Sequence, residues 1–211
     1  MPKKIDHHTR RLELTEALWR LTRREGWDAI SLRKVAAEAG VSMGMVQHYF
    51  TTKDEMLRFA IEMISEDVRE RIRARVAKLP EPHTPRRLVW TVLSEMIPRP
   101  SRRREEVEAA NVFVRRFLLS PASAARFARD GAELKQAIKD QIMLARGGIE
   151  AGSEAGSEAE AERDAGGLIA LFDGLMYEFA AGVLTSETAL ATLRAQVEFV
   201  FGPAEDGELD G

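Results

Sequence analysis

Residues 31–57 read SLRKVAAEAGVSMGMVQHYFTTKDEML. Val35, Ala36 and Ala39 stand at i, i+1 and i+4, which gives residues 32–39 one apolar helical face. Gly40 follows at once, and glycine ends a helix cheaply because it adopts positive φ. Val41 is left to tuck into the crook between two helices. Ser42 is placed to cap a second short helix over 43–50, since its hydroxyl can accept from a free N–H of the first turn. In that helix Val46 and Phe50, four apart, face inward. Met43, Gly44, Gln47 and His48 then point outward, with Met45 and Tyr49 flanking them. Thr52-Lys53-Asp54-Glu55 is a capping-box pattern that opens a third helix through Met56, Leu57, Phe59, Ala60, Met63 and Ile64. Helix, glycine-containing turn, helix is the helix-turn-helix, whose second helix reads base edges in DNA while the first crosses the backbone.

The charge distribution agrees with that reading. The whole chain carries a formal net charge of −3, which by itself argues against a nucleic-acid partner. Residues 1–53, however, hold ten Lys/Arg against six Asp/Glu, and the remainder holds 21 against 28. No acidic residue lies between Gly40 and Lys53. A locally basic face on an otherwise acidic chain suits phosphate contact. Any one of these charges alone reads equally as part of a solvated face.

The pattern Ser31-x-x-x-Val35-Ala36-x-x-Ala39-Gly40-Val41-Ser42-x-Gly44-x-Val46-x-x-Tyr49-Phe50-x-x-Lys53-x-x-x-Leu57 resembles the tetracycline-repressor (TetR) family of bacterial transcription regulators. The preceding stretch fits too: Leu14, Ala17, Leu18 and Leu21, then Glu25-Gly26-Trp27 before Ile30. The motif similarity covers roughly residues 10–60. It implies a dimeric repressor that leaves a DNA operator when a small molecule binds its C-terminal domain. Carried over by position, the base-reading surface falls on Met43, Gly44, Gln47 and His48. Phosphate contacts fall on Ser31, Arg33, Tyr49 and Lys53, with Ser42, Thr51 and Thr52 nearby. Many members carry an aromatic residue where this chain has Gln47. Glutamine pairs bidentately with adenine N6 and N7, so Gln47 is the leading candidate for sequence readout. His48 reads as a donor to a phosphate or base acceptor, or equally as an exposed polar residue without a specific contact.

Length and composition bound the rest. The 211 residues allow one or two domains, and 45% apolar content supports a packed core. There is no cysteine, hence no disulfide, thiolate catalysis or thiolate-zinc site. The basic, polar start MPKKIDHHTRR is no signal peptide, and no apolar run reaches spanning length; a cytoplasmic protein without a membrane partner is expected. The first residues read as disordered until near Thr9. Thr9, Arg10 and Arg11 are candidates for an arm along the DNA backbone, or for a frayed terminus.

Beyond residue 53 the chain reads as helices punctuated by proline, giving an all-α fold of about nine helices. The expected division is a DNA-binding domain over 1–52, a helical effector-binding and dimerisation domain over 53–203, and a disordered acidic tail over 204–211. The fourth helix is predicted over 53–78. The fifth starts at Thr84-Pro85, an N-cap followed by proline at the first helical position, and runs to Ile97. Further helices are predicted over 102–119 and from Ser120-Pro121 to about 147–151. Residues 151–166, AGSEAGSEAEAERDAG, carry a tandem Ala-Gly-Ser-Glu repeat that suits a flexible connector; the alternative is a helical extension, since Glu and Ala are good helix formers.

Leu168, Leu171, Phe172, Leu175, Phe179 and Val183 form an apolar stripe, and Leu190, Leu193, Val197, Val200 and Phe201 form another on a final helix. Two such helices from each of two subunits make a four-helix interface; the alternative is an ordinary intramolecular core. With the resemblance, a homodimer interface on Leu168, Leu171, Phe172, Leu175, Phe179, Leu190, Leu193 and Val197 is expected. Met63, Trp90, Met96, Phe113, Phe117, Met143 and Met176 are candidates for lining an effector cavity, which would favour a hydrophobic ligand, although such residues at helical spacing are more often plain core. No cofactor or metal is expected. The four histidines lack metal-ligand spacing, and nucleophile elbow, phosphate loop and HExxH are all missing, so an enzyme is disfavoured. A non-specific architectural DNA binder is the other alternative.

Overall fold

A computed structural model describes residues 7–99, 121–147 and 154–202. Among them are eight α-helices, one 3-10 turn and no strand. The helices are α1 (His7–Glu25), α2 (Leu32–Glu38), α3 (Met43–Tyr49), α4 (Lys53–Val76), α5 (Pro85–Met96), α6 (Pro121–Ala145), α7 (Glu154–Ala180) and α8 (Ser186–Phe201). The helix predicted over 102–119 lies outside the described residues.

The local signals of the sequence set the helix ends. Ser31, Ser42, Thr52, Thr84 and Thr185 each accept a backbone N–H of the first turn they precede. Such a cap is worth about 1 kcal/mol. Gly40 sits at φ 66°. Val41 N–H donates to the Ala36 carbonyl at 2.9 Å and Gly40 N–H to that of Ala37 at 3.2 Å. That pair is the Schellman closure, which satisfies carbonyls the helix leaves open and turns the chain sharply into α3. The capping box is shifted by one residue: Glu55 accepts from the N–H of Thr51 at 2.8 Å, while Thr52 Oγ1 accepts from that of Glu55 at 3.0 Å.

Two apolar cores result. The first joins Leu14, Leu18 and Leu21 of α1, Val35 of α2, Val46 of α3, Phe50 and the start of α4 at Met56, Leu57 and Ala60. The second joins Trp90 and Leu93 of α5, Ile142 of α6, Leu168 and Leu175 of α7, and Leu193 and Val197 of α8. Helix α4 leaves the first core and packs on α5, which belongs to the second.

Two stretches with alternative readings are settled here. Residues 154–166 are helix, continuous with the apolar part of α7. Ala161 and Ala165 are fully buried, while Glu158, Glu162 and Asp164 pair with Lys139, Lys135 and Arg146 of α6. Glu158, Glu162 and Asp164 thus form the charged outer face of a docked helix, as the helical-extension reading of this stretch expects. Thr9, Arg10 and Arg11 lie within α1 and form no arm: Arg10 pairs with Glu13, and the Arg11 guanidinium sits 4.1 Å from the Phe59 ring centroid and 4.7 Å from that of Phe50. These are cation–π distances.

Candidate nucleic-acid interface

Helix α3 is anchored by one buried side chain of its own, Val46, and by Phe50 at its C-cap. Residues three and four apart share a helical face, so Gly44, Gln47 and His48 form one strip, and all three are exposed. Met45 flanks the strip and is exposed, and Met43 and Tyr49 are half-buried at its edges. The caps on either side are polar and outward: Ser42 Oγ accepts from the Met45 N–H at 3.1 Å, and Ser31 Oγ accepts from the Lys34 N–H at 3.3 Å. Ser31, Ser42, Thr51 and Thr52 are exposed. A hydroxyl that accepts a cap bond keeps its own proton for an outside acceptor.

The basic residues divide into engaged and open. Glu38 of α2 takes Arg20 at 3.0 Å and Arg24 at 2.9 Å, and Glu25 takes Lys34 at 2.7 Å. Hydrogen bonds from Arg24 and then Arg20 hold the Glu38 carboxyl below its ordinary range, as Lys34 first and Arg24 next do for Glu25. Arg33, exposed on α2, enters none of these pairs. Lys53 is half-buried: its Nζ donates to the Ile30 carbonyl at 3.2 Å and lies 5.2 Å from the Trp27 ring centroid. It therefore ties the start of α4 to the α1–α2 connection, with further ammonium protons left for a phosphate.

The structure places the predicted DNA-facing residues at the start of α2, on the outer strip of α3 and around the start of α4. It adds a neighbour that the sequence reading left in a loose terminus. His7, the first residue of α1, packs its ring on Tyr49 with centroids 4.6 Å apart. No local pattern signals this, because 41 residues separate the pair and only the packing of α1 joins them.

The other predicted sites fare differently. Of the effector candidates, Trp90 is buried in the second core, and Met96, Met143 and Met176 are partly buried against it. Met63 is half-buried on α4 outside that core. Phe113 and Phe117 lie outside the described residues. Of the residues expected at a dimer interface, Leu168, Phe172, Leu175, Leu193 and Val197 are buried within the single chain, with Phe179 closed too and Leu171 and Leu190 partly so. Leu168, Phe172, Leu175, Leu193 and Val197 belong to the second core, to which α5 and α6 contribute. The large apolar side chains that do face outward from α7, the α7–α8 turn and α8 are Tyr177, Val183 and Phe199, at 61%, 71% and 80% exposure.

No helix among the described residues is long and apolar enough to cross a membrane. The family of bacterial regulatory proteins named for tetR matches residues 14–59, and the C-terminal domain of BetI-type transcriptional repressors matches residues 85–202. The HTH-type transcriptional regulator PksA of Bacillus subtilis is 41% identical over 98 residues. The match spans about half the length of that relative, 46% of each chain. A transcriptional regulator of known structure from Rhodococcus sp. superposes with a TM-score of 0.68 at 26% identity, over 90% of this chain and 95% of that one. AibR, solved with isovaleryl coenzyme A and operator DNA, superposes with a TM-score of 0.61 over 92% and 100%; at 16% identity that is a likeness of fold. With matches to both the helix-turn-helix and most of the helical remainder, the chain belongs to the TetR family of bacterial transcriptional regulators.

Proposed function

We propose that the protein is a ligand-responsive repressor that binds a pseudopalindromic DNA operator as a homodimer and leaves it when a small hydrophobic effector binds. The observation that carries this reading is the exposed strip Gly44–Gln47–His48 on α3, held from behind by Val46 and Phe50 and framed by capped helix starts. Within it Gln47 reads an adenine, Met43 and Gly44 lie close to base edges, and His48 reaches a phosphate or base acceptor. Ser31, Arg33, Ser42, Tyr49, Thr51, Thr52 and Lys53 position the backbone.

A seven-residue helix meets few bases, so a twofold protein on a twofold site is the economical reader. The outward Tyr177, Val183 and Phe199 are the side chains that support a second copy on the last two helices, in place of the buried stripe. The effector enters the second core, where Trp90, Met96, Met143 and Met176 offer an adaptable apolar lining. Its binding shifts the chain only in so far as it favours one arrangement of α4 and the DNA-binding helices over another. The relatives reported above are regulators, which supports a protein that is not an enzyme and works in the cytoplasm without a cofactor.

Selection of binding sites from random DNA tests this function. An enriched pseudopalindrome, released by a subset of hydrophobic compounds, is the expected result. Equal binding to all sequences contradicts it.

A further inference from the structure

We propose that His7, which lies outside the helix-turn-helix, belongs to the DNA-contacting surface, and that with His48 it couples operator binding to proton uptake. The proposal rests on the DNA-binding reading above. His7 opens α1, and its ring lies 4.6 Å from Tyr49 and 6.1 Å from His48, centroid to centroid. His48 and Tyr49 are themselves 5.0 Å apart and nearly perpendicular. The three rings form one cluster at the C-terminal end of α3, where the helix dipole favours positive charge on His48, while His7 stands at the N-terminal end of α1, where the dipole opposes it. Both imidazoles are exposed, beside the strip that faces DNA.

The surrounding charges leave that role open to them. On α1, Arg10 pairs with Glu13, Arg11 is stacked over Phe50 and Phe59, and His8 lies edge-on to Phe59. Helix α3 carries no acidic residue. On the first turns of α4, Glu55 is bonded to the Thr51 N–H, Lys53 is held at the Ile30 carbonyl, and Asp54 and Arg58 complete the charged set. Among the described residues, neither His7 nor His48 makes a hydrogen bond or ion pair with a carboxylate.

A phosphate of the duplex is then the anion that meets a protonated imidazole. Nearby negative charge favours the charged form, and histidine is the side chain whose ordinary titration falls near neutrality. The sign follows: a protonated imidazole adds attraction for the phosphate, so affinity is greatest at the acid side and falls as pH rises.

The test measures dissociation constants on a selected operator at pH 6.0 and 7.5, at fixed ionic strength, for the full chain. Wild type is expected to bind roughly tenfold tighter at pH 6.0. His7→Phe keeps a ring on Tyr49 but takes no proton, and loses about half of that logarithmic change. The double variant His7→Phe/His48→Gln is flat, and His8→Gln behaves as wild type. Circular dichroism and melting temperature verify that each variant is folded. A wild type with equal affinity at the two pH values overturns the proposal, as does a pH dependence that survives in the double variant or vanishes in His8→Gln. A folded chain that binds no DNA at either pH overturns the DNA-binding reading and this proposal with it.

Discussion

Arg75, in the last turn of α4, donates to Glu95 of α5 across 3.0 Å. Arg71, one turn earlier on α4, approaches the other carboxylate oxygen at 3.8 Å. Glu95 is 3% exposed, a buried charge on α5. The same α4 begins inside the first core at Met56, Leu57 and Ala60. A buried carboxylate demands such partners, and here the partners lie on the helix that runs back to the DNA-facing surface. The link between the two cores is therefore polar and directional, which apolar packing alone is not.

Arg75→Ala is expected to destabilise the protein by about 2–3 kcal/mol, because it strips a hydrogen-bonded cation from a closed carboxylate. Glu95→Gln keeps the shape without the charge and should cost closer to ~1 kcal/mol. Urea unfolding midpoints check both. An Arg75→Ala midpoint equal to that of wild type would show that the pair contributes nothing.

Arg33 and Lys53 should separate grip from stability. Arg33→Ala lowers affinity for all DNA sequences alike and flattens the salt dependence by about 0.9 in log–log slope per lost phosphate contact, with no change in melting temperature. Lys53→Ala does the same and also melts earlier, by roughly 1 kcal/mol of stability, because the Ile30 carbonyl and the Trp27 ring lose their ammonium. Fluorescence anisotropy over a salt series, beside thermal melts, reads both effects. A Lys53→Ala protein as stable as wild type would remove the staple from the account.

The Glu38 network predicts an acid limb. Its carboxyl is held below the ordinary range by Arg24 and Arg20, so its contribution is fully present above that range and is lost as pH falls through the lowered value. Glu38→Gln should lower the melting temperature at pH 6 and converge on wild type towards pH 3. A constant difference across that interval would place the cause elsewhere.

Phe199→Glu and Leu175→Arg should differ in kind. Phe199 stands out from α8, so its replacement should leave a folded monomer in light scattering. Leu175 is buried in the chain's own second core, and an arginine there should unfold that core. A folded dimer from Phe199→Glu would move the interface off the outer face of α8.

The helix-turn-helix was legible because its signals are local. A cap at Ser42, a left-handed Gly40 and an i, i+4 pair at Val46 and Phe50 are each decided within a turn of helix. What stayed hidden depends on partners far along the chain. The acidic repeat looked like a connector because nothing near Glu158 or Glu162 reveals that Lys139 and Lys135 wait on α6. The stripe through Leu168 and Leu175 gave a correct apolar face, but periodicity does not say whether α5 and α6 or a second subunit covers it. His7 and Arg11 looked like ends of a loose terminus until α1 carried them onto Tyr49 and Phe50.

The proposed function places sequence reading on α3, with Gln47 as its reader. Selection from random DNA, run in parallel with wild type and Gln47→Ala, tests it most directly. Wild type is expected to enrich one pseudopalindrome. Gln47→Ala is expected to enrich the same site with preference relaxed at one base pair in each half, and affinity lower by about 1–3 kcal/mol. Unchanged preference at every position in the variant, or no enriched site for wild type, would contradict it.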